Sequence, residues 1–72
     1  MQSPSKLQFG KNIKLFRNKL KLTQEQLSEI ANVEYKYLQK IEGKTPPNVS
    51  LKVIDKLAKA LKTTPAKLLA QK

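Results

Sequence analysis

The 72-residue sequence contains no cysteine and no histidine. Without cysteine there is no disulfide framework and no thiolate metal site, and the redox compartment leaves no trace in the composition. Without histidine the commonest metal ligand and the commonest general base are missing as well. A glycine-rich phosphate loop is also absent, which argues against an enzyme, so no catalytic residue, metal or cofactor is expected. No apolar run approaches the roughly 18 to 20 residues of a membrane span. The opening stretch, MQSPSKLQFG, lacks the apolar centre of a signal peptide,. A cytoplasmic protein with no membrane partner and no evident small-molecule ligand is therefore expected. The length supports one domain with a single modest core, and the chain holds neither an internal repeat nor a low-complexity segment.

Acids are scarce too. Asp and Glu number 5 against 15 Lys and Arg, a net charge of +10. So large a charge on so short a chain implies a polyanionic partner, with nucleic acid ahead of an acidic membrane surface. The charge is unevenly spread. Residues 1–22 carry Lys6, Lys11, Lys14, Arg17, Lys19 and Lys21 with no acid, and residues 44–72 carry seven lysines against Asp55. Residues 23–43 oppose Lys36 and Lys40 to Glu25, Glu29, Glu34 and Glu42, a net −2. With DNA as ligand, the flanks are expected to supply much of the non-specific phosphate attraction.

The stretch from Thr23 to Gly43 reads as two short helices separated by a tight turn. Thr23 and Gln26 have the spacing of a capping box, and Leu27, Ile30 and Ala31 form an apolar stripe at helical spacing. Asn32 tolerates the left-handed conformation that a sharp turn needs. Val33, Leu38 and Ile41 make a second narrow stripe, with Gly43 as the stop signal. Helices of about eight residues are marginal in water alone, so the pair must pack on each other as a helix-turn-helix.

At these residues the chain resembles the lambda-repressor-like, Cro/C1-type (XRE) DNA-binding domains. The resemblance rests on Leu22-Thr23-Gln24-Glu25, Leu27-Ser28, Val33, Tyr37-Leu38, Lys40-Ile41-Glu42 and Gly43-Lys44, and it runs from about Phe9 to Leu69. It implies an all-α, compact five-helix domain with the helix-turn-helix at helices 2 and 3. Residues 1–6 are then expected to be a flexible N-terminal arm and residues 7–70 the DNA-binding domain.

Helix 1 is predicted from about Leu7 to Lys19, with Phe9, Ile13, Phe16 and Leu20 on one face and Leu15 off the stripe,. Family members often have glycine where this chain has Lys21, which points to a different turn. Arg17 is the one arginine among the fifteen cations. Arginine is preferred where a carboxylate must be gripped bidentately, and the resemblance pairs it with Glu42 as a structural clamp. Lys44-Thr45-Pro46-Pro47-Asn48 is a loop one residue shorter than the commoner family form. Ser50 caps helix 4, with Val49 and Ile54 spaced as a hydrophobic staple. Leu51, Ile54, Leu57, Ala58 and Leu61 form its predicted buried face, and Lys52, Lys56, Lys59 and Lys62 its wet one. Thr64 and Pro65 open the last helix. Leu68 closes the core, and Leu69 either does the same or faces a second subunit.

In helix-turn-helix geometry the second helix enters the major groove. With Val33, Leu38 and Ile41 facing inward, Tyr35, Lys36, Gln39 and Lys40 face outward. The resemblance places Tyr35, Lys36 and Lys40 at base-reading positions. Lysine can donate to guanine O6 and N7, glutamine can pair with adenine, and tyrosine can meet a thymine methyl. Gln24 matches a phosphate-contacting glutamine and adds the positive end of a helix dipole. Lys14 and Lys44 are further phosphate candidates, and Tyr37 either braces the DNA backbone or covers the core edge. Glu34 stands where the family usually has serine or threonine. It is a poorer cap and repels DNA, but it could accept from cytosine N4 or pair with a lysine. The function implied is sequence-specific binding of double-stranded DNA by a transcriptional regulator, as a homodimer on a two-fold symmetric operator. A protein-interaction scaffold, an antitoxin and a restriction-modification controller are the alternatives on the same fold.

Overall fold

The computed structural model describes residues 6–71. The arm expected over residues 1–6 lies outside them except for Lys6, which opens the first helix. Among the described residues there are five helices and no strand: α1 (Lys6–Lys19), α2 (Gln24–Ala31), α3 (Tyr35–Ile41), α4 (Leu51–Ala60) and α5 (Pro65–Leu68). Helices α2 and α3 pack on each other; α4 backs α2, while α1 and α5 close the other side.

The caps are where the local chemistry asked for them. Thr23 Oγ1 accepts from the Gln26 N–H, and Gln26 Oε1 accepts from the Thr23 N–H. Ser50 and Thr64 likewise accept from the N–H three residues on, and Pro65 holds the first position of α5. Three helices end through one device, in which the N–H groups of two successive residues fold back on the last turn. Leu22 N–H reaches Arg17 O, Val33 N–H reaches Ser28 O, and Thr63 N–H reaches Ala58 O. Each needs a left-handed residue just before it. Asn32 supplies one, as expected, and Lys21 and Lys62 supply the others at φ 59° and 58°. The usual turn after α1 is thus kept despite the lysine.

Gly43 follows the end of α3, as expected of a stop signal. It takes no positive φ. Instead Glu42 ends α3 at φ −86°, and the Gly43 N–H donates to Lys40 O in a tight turn, so no left-handed residue is required there.

The core joins Phe9 and Ile13 of α1, Leu27 and Ala31 of α2, Leu38 and Ile41 of α3, Ile54, Leu57 and Ala58 of α4, and Val33, Leu61 and Leu68. Leu69 and Val49 pack against it half-buried. Three predicted core residues are outside it: Ile30 is 58% exposed, Leu51 81% and Leu20 37%. Leu20 lies just beyond the end of α1, and Ile30 and Leu51 stand near the ends of α2 and α4. Three polar or charged residues are inside instead: Asn12, Arg17 and Ser28. Asn12 Nδ2 donates to the carbonyls of Leu68 and Ala70, both at 2.9 Å, and so ties the end of α5 to α1. Gly10 lets α1 press on the end of α3, since a methyl there would collide with the Ile41 carbonyl oxygen.

Candidate nucleic-acid interface

Helix α3 and the turn before it divide by burial, with Tyr37 half-buried between the two sides. Val33, Leu38 and Ile41 are buried, whereas Tyr35, Lys36, Gln39 and Lys40 are exposed. The four side chains expected to read bases therefore share the outward side of one short helix. Lys36, Gln39 and Lys40 border a shallow groove of about 330 Å³ that continues to Gly43, Lys44 and Thr45. Tyr35, 39% exposed, borders another, where it meets Glu25 and Glu29 of α2.

Three charged or polar side chains converge behind this surface. Arg17 Nε and Nη2 donate to Glu42 Oε2 and Oε1 at 3.0 and 2.9 Å, and Nη1 donates to the Leu22 carbonyl at 2.8 Å. The side chains are only 11% and 4% exposed. Burying a carboxylate is costly unless it is paired and fully hydrogen-bonded, and the forked guanidinium meets both requirements. The clamp anticipated from the lone arginine is thus present. Its third member was not anticipated: Gln24 Nε2 donates to Glu42 Oε1 at 3.1 Å. One carboxylate therefore ties the end of α1, the start of α2 and the end of α3. Because a glutamine amide carries two N–H donors, the second is left for another acceptor.

Tyr37 is half-buried against the core, and its hydroxyl donates to the Asn48 carbonyl at 3.0 Å. It covers the core edge and also holds the Lys44–Asn48 loop to α3. Glu34 precedes α3 without any side-chain cap hydrogen bond. Lys14 and Lys44 are exposed on α1 and on the loop. Among the described residues the ion pairs are Arg17–Glu42 and the exposed Lys59–Asp55 pair at 3.7 Å, so Lys14, Lys36, Lys40 and Lys44 pair with no carboxylate. No group of three or more Asp and Glu side chains could hold a metal ion among those residues, and no helix is long and apolar enough to cross a membrane.

This pairing of a capped α2 with an outward-facing α3 is matched by known proteins. The helix-turn-helix family profile covers residues 13–68. The chain belongs to the Cro/C1-type helix-turn-helix family of DNA-binding transcriptional regulators. It is 40% identical over 62 residues to control protein C.SmaI of Serratia marcescens, spanning 86% of this chain and 73% of that protein. The restriction-modification controller protein C.AhdI of Aeromonas hydrophila superposes with a TM-score of 0.81 at 33% identity, over 88% of this chain and 94% of the other. The biofilm master regulator SinR in complex with DNA superposes with a TM-score of 0.82 at 29% identity, over 86% and 98% of the two chains.

Proposed function

We propose that this family member binds a two-fold symmetric operator as a homodimer, with α3 in the major groove, and that it serves as a restriction-modification controller. The observation that carries the reading is the outward row of Tyr35, Lys36, Gln39 and Lys40 on a helix whose other side is buried. Lys36 and Lys40 donate to guanine, Gln39 pairs with adenine, and Tyr35 packs on a thymine methyl. Lys14, Lys44 and the free N–H of Gln24 hold phosphates and fix the register. Tyr37 contributes on the phosphate side chiefly by holding the loop that carries Lys44, since its one hydroxyl proton already serves Asn48. Dimerisation follows from the number of contacts. One seven-residue helix reaches too few bases for useful specificity, whereas two copies about 34 Å apart double the site,. Similarity to C.SmaI and C.AhdI supports the controller role over the antitoxin and scaffold alternatives.

Two substitutions separate reading from anchoring. Lys36→Ala should lower discrimination between operator variants by about 1–3 kcal/mol, whereas Lys14→Ala should weaken all duplexes nearly equally. Equal losses on every sequence from both would remove Lys36 as a base reader. Placing the candidate operator upstream of a restriction-modification gene pair and of an unrelated promoter would test the controller role; regulation of the first is expected.

A further inference from the structure

Two basic helical faces meet at Gly43 and Lys44. Lys36, Gln39 and Lys40 follow the i, i+3, i+4 spacing of one face of α3, and they border one groove with Gly43 and Lys44 just beyond the helix,. Leu7, Gly10, Lys11 and Lys14 follow the i, i+3, i+4, i+7 spacing on α1, and they border an adjoining groove of about 300 Å³ that shares Gly43 and Lys44. Gly10 makes the junction possible, because only a residue without a side chain lets α1 seat against the end of α3. The resulting surface carries Lys11, Lys14, Lys36, Lys40 and Lys44, all exposed and, among the described residues, none paired with a carboxylate. Glu42 is the one acid in the second groove. Its carboxylate is already held by Arg17 and Gln24, with a side chain only 4% exposed, so it offsets little of that field.

We propose that the DNA backbone runs past the helix-turn-helix, across Gly43 and Lys44, and on to α1, where Lys11 joins Lys14 in binding phosphodiester groups. Lys11 is thereby a DNA-contacting residue, and α1 is a second binding element as well as a support. The proposal takes its partner from the DNA-binding reading above; its placement of Lys11 rests on the grooves and their charge. Packed helix axes lie roughly 8 to 10 Å apart, close to the Debye length at physiological salt, so the charges of the adjoining α1 and α3 faces reinforce one another.

The test is a phosphate-by-phosphate scan, with single methylphosphonates along each strand of a bound duplex and the wild type compared with Lys11→Ala and Lys52→Ala. Lys52 lies on α4, outside both grooves. The expected result is that at least one phosphate whose neutralisation weakens the wild type no longer weakens Lys11→Ala. That variant should bind about 3- to 10-fold less tightly, and its slope of log affinity against log salt should fall by about one. Lys52→Ala should match the wild type in all three. The same salt slope on random duplex keeps the two readings apart: a reduced slope in Lys11→Ala supports the α1 contact even where the wild type prefers no sequence. An unchanged slope together with an unchanged set of sensitive phosphates would overturn it, whatever α3 reads.

Discussion

The guanidinium of Arg17 meets two demands that a lysine could not. It grips both oxygens of Glu42 and still donates to the Leu22 carbonyl. Arg17→Lys keeps the charge but loses the fork, and should cost about 1–2 kcal/mol, or roughly 5–15 °C in Tm. An unchanged thermal melt would dismiss the clamp. Lys21 makes a second prediction, of opposite sign. A non-glycine residue in the left-handed region costs about 1–2 kcal/mol, against about 0.4–1 kcal/mol of unfolded-chain entropy that glycine adds. Lys21→Gly should therefore stabilise by about 0.5 kcal/mol in a denaturant titration, and a lower midpoint would contradict the strain. That Arg17 grips a carboxylate was legible because a lone arginine among lysines stands out, and the family resemblance pointed to Glu42. Gln24 on Glu42 and Asn12 on Leu68 were not legible, because neither side chain breaks a local pattern that would point to a distant partner.

At the level of elements, the caps were the most legible features, because each depends on side chains within three residues of the backbone groups they satisfy. Burial at stripe edges was the least legible. Ile30 and Leu51 keep perfect helical spacing yet face solvent, since periodicity gives a helix's apolar direction but not how far its neighbour extends. Gly43 marks the end of α3 as read, although the turn there closes without a left-handed residue. Glu34 gives this scale its own test. It opens α3 without capping it, so Glu34→Ser should add about 0.5–1 kcal/mol of stability. Removing its charge should also tighten all duplexes by about 2- to 5-fold. If affinity instead falls only on operators with cytosine at one position, Glu34 accepts from that cytosine's N4 and is itself a reader.

For the whole molecule, the organising fact is the separation of charge from reading. The helix-turn-helix, residues 23–43, is net −2 within a chain of net +10. On the proposed reading, the flanking residues 1–22 and 44–72 supply much of the attraction to DNA, and the four outward side chains of α3 supply the specificity. That division follows from composition alone. Where the attraction is concentrated does not, because the meeting of the α1 and α3 faces at Gly43 and Lys44 depends on tertiary packing. The most direct test of the central claim is selection from a pool of random duplex DNA at physiological salt, with sequencing of what is retained by the wild type and by Lys36→Ala. The expected result is one enriched two-fold symmetric site for the wild type, lost or degraded in Lys36→Ala. Retention without enrichment, with a steep salt dependence, would show that the protein holds DNA by charge alone and would contradict a base-reading α3.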